Sequence, residues 1–187
     1  MMRYPNRWWT ALVAATMVVA GLQSTAQAHG PTRQKVQESI DIDASPADVW
    51  AVVGDFQSAH AWLPMVERSE GKGGNEEGAE RTLFLVDGAG EVHETLKRRD
   101  DDRMSLSYRI PMATHDVNVL PVSNYSSTIS VRANDDGGST VTWRGAFYRG
   151  YMKNDPPDNL NDKTAVAAVT GLYQAGLGHL KQVVEGD

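Results

Sequence analysis

The residues able to do chemistry in this 187-residue chain are few, and they are scattered. There is no cysteine, which excludes thiol catalysis, thiolate metal sites and iron–sulfur clusters. Five histidines occur, His29, His60, His93, His115 and His179, with no pair at i, i+4. His93-Glu94 opens like a helical zinc-protease motif, but Lys97 occupies the place of the second histidine, so two imidazoles never share a face. No nucleophile elbow, phosphate loop, dinucleotide fingerprint or EF-hand loop is present. What remains is a pair of carboxylates set in apolar rows. Glu94 lies between Val92 and Leu96, and Glu38 between Val36 and Ile40, each at the two-residue period of a strand face. A carboxylate buried there is costly unless paired or hydrogen-bonded. Glu94 therefore either orients a ligand or acts as general acid or base, with His60 or Tyr125 as the second polar group, or it pairs with an arginine such as Arg109 or Arg144. Structural pairing is the plainer reading for Glu94, and more strongly so for Glu38.

Aromatic residues fall on the same kind of row. Met104, Leu106, Tyr108 and Ile110 form one face; Tyr125, Ile129 and Val131 a second; Val141, Trp143 and Phe147 a third. Such rows are core material first, but one concave sheet with few helices to fill it leaves room for a cavity. Trp62, Glu94, Tyr108, Tyr125, Trp143 and Phe147 are the candidates for lining it. No catalytic residue is assigned, no cofactor is expected, and an enzyme is the less favoured reading. The one candidate metal ligand is His29, whose imidazole and freed amine would chelate copper if processing exposed it; the plainer reading is that processing simply falls there.

The elements that would position these residues are legible from period and punctuation. Val36–Ile42 alternates as a half-buried strand. Ser45-Pro46-Ala47-Asp48 is a helix start, with Ser45 as cap, Pro46 at the first helical position and Asp48 closing a capping box. Gly54-Asp55 ends that helix, and a second short one runs from Phe56 to Leu63 before Pro64. Six strand-like runs follow, at 66–70, 81–86, 91–99, 104–110, 125–133 and 140–148. Turn chemistry at 71–78, 87–90, 100–102 and 134–138 joins several of them, so the sheet should be an antiparallel meander. From about Asn161 to Val184 the period is helical, capped by Asn161 or Asp162, with Gly171, Gly176 and Gly178 inside. Three glycines in one helix imply close approach on that side, to the sheet or to a ligand. The order is α+β: a helix-grip fold, a curved seven-stranded antiparallel sheet with two short helices after its first strand and a long C-terminal helix to cover it.

The chain begins as an exported protein does. Arg3 and Arg7 precede an apolar run from Ala11 to Leu22, and Ala26-Gln27-Ala28 is a small-x-small cleavage site. The division expected is a secretory leader at 1–28, a short segment at 29–35 and one domain at 36–187, with the mature protein periplasmic. Twelve apolar residues fall short of the roughly 20 needed to span a bilayer. Cleavage after Ala28 would leave 16 Lys+Arg against 24 Asp+Glu. A chain that acidic repels nucleic acid and anionic lipid, so neither is an expected partner.

Val49-Trp50-Ala51-Val52-Val53-Gly54-Asp55-Phe56, followed by Trp62 and Pro64, resembles the opening of the START/Bet v 1-like (SRPBCC) superfamily, polyketide cyclase/dehydrase branch. Leu120-Pro121-Val122-Ser123-Asn124-Tyr125 and Val141-Thr142-Trp143 resemble it too, and the likeness runs from about Val36 to Val184. Within that superfamily the chain is similar to the MxaD-like group of periplasmic methanol-oxidation proteins. That likeness rests on His29 to Thr32, Phe147-Tyr148-Arg149-Gly150, Pro156-Pro157 with Leu160-Asn161-Asp162, and Ala175-Gly176-Leu177. It implies an accessory role in electron transfer between methanol dehydrogenase and its cytochrome c, with either or both as partners and no redox centre of its own. The broader family implies the alternatives, a binding module for a small hydrophobic ligand or a cyclase/dehydrase-like enzyme.

Overall fold

The computed structural model describes residues 30–186. The leader expected at 1–28 and the candidate copper ligand His29 lie outside the described residues.

Seven strands form one antiparallel sheet in the order β1-β7-β6-β5-β4-β3-β2. They are β1 (Gln34–Ile42), β2 (Val66–Lys72), β3 (Glu80–Leu85), β4 (Glu91–Asp100), β5 (Ser105–Arg109), β6 (Val122–Ala133) and β7 (Ser139–Arg149). Every neighbour from β2 to β7 is also a neighbour in sequence, which is the expected meander; β1 closes the far edge against β7. The first helix, α1 (Pro46–Val53), begins as read: Ser45 Oγ accepts from the Asp48 amide at 3.2 Å and donates to the Asp48 carboxylate at 2.6 Å. A 3₁₀ turn spans Phe56–Ala61. The long helix α2 (Asp162–Glu185) is capped by Asn161, whose side chain accepts from the Thr164 amide at 2.9 Å.

Burial follows the alternation. Inward positions of β7 (Val141, Trp143, Phe147) and β6 (Tyr125, Ile129, Val131) are at most 2% exposed, joined by Leu96, Leu106 and Tyr108. Beneath them lie Val169, Tyr173, Leu177 and Leu180 of α2. Six inter-strand spacings make the sheet about 29 Å wide, whereas a helix with its side chains covers about 10–12 Å. One helix cannot cover such a face. The expectation that α2 alone would do so is therefore corrected: α2 packs on β1 and β7, while the 3₁₀ turn packs on β2 and β3.

Three bulges interrupt the register among the described residues: one in β2 between Val66 and Arg68, and one each in β6 and β4. In β6 the register against β7 slips by one residue between Ser123 and Ser126, with Asn124 at φ 49°. The slip starts the strand at Val122 rather than at Tyr125, and lets both residues face inward. In β4 a slip between Leu96 and Arg98 sets Lys97 and Arg98 next to each other on the outer surface.

The three glycines of α2 separate into two kinds. A Cβ on Gly176 would stand 2.8 Å from Leu63 Cδ2 and 2.8 Å from the Trp143 ring, so close packing does require glycine there. Gly171 and Gly178 face open space, contrary to the shared close approach expected of all three. Their positions point away from the packed side, where no neighbour demands a missing side chain.

Candidate functional site

Between the two parts of the helical cover the sheet keeps a half-enclosed cavity of about 140 Å³. Its walls are apolar: Leu63 and Val66, Leu83 on β3, Ile110 at the end of β5, with half-buried Met65, Leu85, Val119, Leu120 and Leu172 towards the mouth. The loop from β5 to β6 is pinned over this region. His115 Nε2 lies 3.0 Å from Leu120 O and 2.8 Å from Val122 O, and Val119 packs so close to Gly90 that a Cβ there would stand 2.6 Å from Val119 Cγ2.

Of the six residues expected at a cavity, Glu94, Tyr108, Tyr125 and Trp143 line it. Trp62 and Phe147 do not. Trp62 packs edge-on against Trp143 with centroids 5.3 Å apart, and Phe147 stacks on Tyr125 at 6.2 Å, so both stand behind the wall. His60, offered as a second polar group beside Glu94, is exposed on the 3₁₀ turn and is not part of the site.

Glu94 is 6% exposed, and its partner is Arg81, not Arg109 or Arg144. The register places Arg81 directly opposite Glu94 across β3 and β4, whereas Arg109 and Arg144 point outward. Arg81 Nε and its terminal nitrogen reach Glu94 Oε2 at 2.7 and 2.6 Å. A second terminal nitrogen donates to Phe56 O, and the guanidinium lies over the rings of Phe56 (4.2 Å) and Tyr108 (5.3 Å). Desolvation raises the Glu94 pKa above its ordinary value; attraction and hydrogen bonding from Arg81 oppose this without cancelling it. Glu38 is half-buried on the edge strand and accepts from Gln174 Nε2 at 3.4 Å, so it too has a partner that is not an arginine.

A second polar group lies beside the ion pair, and its proton directions can be deduced. Ser127 Oγ is 3.0 Å from Arg144 O, and a carbonyl can only accept, so Ser127 donates there. Ser127 must then accept from Trp143 Nε1 at 2.8 Å and from the Tyr173 hydroxyl at 3.0 Å. Tyr173 in turn accepts from the Tyr125 hydroxyl at 2.7 Å. The Tyr108 hydroxyl accepts from Trp143 Nε1 at 3.1 Å; Ser127 stands near it, but that oxygen already donates once and accepts twice, so the Tyr108 hydrogen has no acceptor in hydrogen-bond geometry among the described residues. Glu94 Oε1 likewise receives no hydrogen bond among them, since Oε2 takes both Arg81 contacts. The apolar cavity thus has one donor and one acceptor still available in its wall. Burial pushes the Tyr108 and Tyr125 pKa values well above the ordinary tyrosine value and that of Tyr173 to about 12, so all three are neutral donors at physiological pH.

Ser127 and Arg81 escape a reading by apolar rows, and Tyr173 falls in the apolar row of α2 with nothing to mark the role of its hydroxyl. Ser127 interrupts the row Tyr125, Ile129, Val131 at the position where a hydrophobic residue is expected. Gly145 similarly interrupts Val141, Trp143, Phe147, and it does so because a Cβ there would lie 2.2 Å from the Tyr173 hydroxyl. Those two small residues are the sequence signal for a buried tyrosine head.

A curved sheet gripping a long helix over a half-enclosed apolar cavity defines a START/Bet v 1-like domain. The chain belongs to the family described as polyketide cyclase / dehydrase and lipid transport, whose model matches residues 33–185. It is similar in structure to the protein XoxI from Bacillus cereus, with 30% identity over 81% of this chain and 95% of that one, at a TM-score of 0.66. An uncharacterised Bacillus thuringiensis protein matches at 30% identity, 81% and 99% coverage and TM-score 0.65. Norcoclaurine synthase from Thalictrum flavum, at 15% identity, 83% and 96% coverage and TM-score 0.59, shares the fold alone. No curated protein sequence matches the chain.

Proposed function

We propose that the protein is a binding module for a small ligand, one ring-sized apolar group bearing a hydroxyl or similar function that both accepts and donates a hydrogen bond. The observation that carries this is the cavity of about 140 Å³ whose wall, among the described residues, has two polar functions without a hydrogen-bond partner, the Tyr108 hydrogen and Glu94 Oε1. An apolar cavity of about 150 Å³ is large enough for a benzene ring. A longer ligand would extend past Leu85, Val119 and Leu172. The test is a thermal-shift and calorimetric comparison of phenol with toluene. Phenol is expected to bind the wild type more tightly, and Tyr108→Phe to weaken phenol by about 5- to 20-fold while leaving toluene unchanged. Equal effects on both ligands, or neither ligand binding to wild type, would sink the reading.

A second reading is supported by one further observation. Two of the segments that carry the likeness to methanol-oxidation accessory proteins, 147–150 and 156–162, are tied together by Arg149. Its guanidinium donates to Tyr151 O at 2.8 Å, to Lys153 O at 3.0 Å and to the Asp162 carboxylate at 3.0 Å. On this reading the mature protein is periplasmic and assists electron transfer from methanol dehydrogenase to its cytochrome c. Stopped-flow reduction of the cytochrome at low salt tests it: the protein should accelerate transfer, and salt should suppress the effect. An unchanged rate at low salt would rule it out.

A further inference from the structure

The outer face of the sheet is rich in cations, whereas the chain as a whole has 18 Lys+Arg against 24 Asp+Glu. Register places Gln37, Arg144, Thr128, Ser107 and Arg98 side by side across β1, β7, β6, β5 and β4. The next row is Lys35, Ala146, Ser126, Arg109 and Thr95. Lys97 joins through the β4 bulge, and Arg33 through its hydrogen bond to Ser126 Oγ at 3.1 Å. Arg98 is neutralised by Asp100 at 2.9 Å. Arg33, Lys35, Lys97, Arg109 and Arg144 are all exposed, and none forms an ion pair among the described residues. Neither row places an acid among them. Small side chains between the cations leave a shallow depression of about 560 Å³ bordered by Lys35, Lys97 and Arg144, with Ser107, Ser126 and Thr128 hydroxyls as its floor.

We propose that this outer face docks an acidic protein surface. Four strand spacings set the width from Lys35 to Lys97 at about 19 Å, and two residues along a strand set the separation of the rows at about 7 Å. That is the footprint of a compact cluster of carboxylates on a folded partner. A long polyanion is a poor fit, because acids flank the patch: Asp41 at one end of β1, Asp100 beyond Ser105, and Glu80 beyond Thr95. A nucleic acid or a charged membrane sheet would have to run over those acids, whereas a partner patch of matching size would not. The unpaired cations cost little while solvated, and they steer an opposite charge to one side of an acidic molecule. This inference is independent of what the inner cavity binds.

The probe is a glutamate-rich peptide, titrated into the isotope-labelled protein and followed by amide NMR at about 20 mM salt, where the Debye length exceeds about 20 Å. Shifts are expected at Gln37, Lys97, Ser126, Thr128 and Arg144 and should disappear at about 200 mM salt. The K35E/R144E double variant is expected to bind about tenfold more weakly. K163E, a charge reversal on α2 outside the patch, should bind as the wild type, and unchanged spectral dispersion shows that both variants are folded. The proposal is overturned if the peptide causes no shifts at low salt, if the shifts map elsewhere, or if K163E weakens binding as much as the double variant. Inorganic phosphate or vesicles of phosphatidylglycerol producing the same shifts at lower concentration would equally overturn it, in favour of a general anion site.

Discussion

The buried Arg81–Glu94 pair is the most consequential contact at the scale of single residues. Both side chains are at most 6% exposed, so removing one strands the other's charge in the core. Arg81→Met should therefore lose about 3–5 kcal/mol in urea unfolding, while the double change with Glu94→Leu should recover most of it. A single variant as stable as the double would show that water reaches Glu94 freely. The tyrosines give a pH prediction with a definite sign. An acid whose folded pKa is raised keeps its full contribution below the unfolded value and loses it as pH rises through the folded one. Tyr173 goes from the ordinary 10.0 to about 12, and Tyr108 and Tyr125 shift the same way. Stability should fall steeply from pH 10 towards 12. Absorbance of the phenolates of these three should appear together with loss of near-UV dichroism, not before it. Replacing Tyr173 with Phe should flatten the slope.

Helix α2 shows at the scale of one element how a residue type can mean two things. Gly176→Ala should destabilise by about 1–3 kcal/mol, because overpacking against Leu63 and Trp143 outweighs a helix-propensity gain of up to about 1 kcal/mol. Gly171→Ala and Gly178→Ala meet nothing and should each stabilise by about 0.5–1 kcal/mol. Melting temperatures that move in the same direction for all three would contradict the packing. A glycine's place on the helix is legible in the sequence, but what faces it is not. The same limit explains the rest of the reading. Caps and strand periods are local, so Ser45, Asn161 and the meander could be read directly. The partner of Glu94 depends on hairpin register, and the turn at 87–90 admits several registers; only the one realised puts Arg81 opposite. Tyr173 reads as one more apolar contact of α2 until Ser127 and Gly145 are brought beneath its hydroxyl.

For the whole molecule, the fold separates its two surfaces. The concave side holds an apolar cavity under α2 and the 3₁₀ turn, and the convex side holds the unpaired cations. A ligand inside and a partner outside would therefore approach from opposite faces of the sheet, with Tyr108 bordering both depressions. No helix among the described residues is long and apolar enough to cross a membrane. Export remains a matter for the segment outside them, and the intact mass of protein recovered from a periplasmic fraction should correspond to a chain beginning at His29. Retention of residues 1–28 would refute the leader. Copper titration of that processed chain should give a d–d band if His29 binds the metal, and none if the histidine merely marks the cut.

Trp143 stacks on Tyr173 at 4.2 Å and meets Trp62 edge-on at 5.3 Å, with the two indole planes inclined at 63°. Indoles that close and that steeply inclined share their excited state, so the pair should produce an exciton couplet in circular dichroism. Trp143 also lines the cavity, which makes that optical signature sensitive to whatever enters. The molecule carries its own label, and occupancy can be followed in unmodified protein by watching the couplet and the indole emission change together.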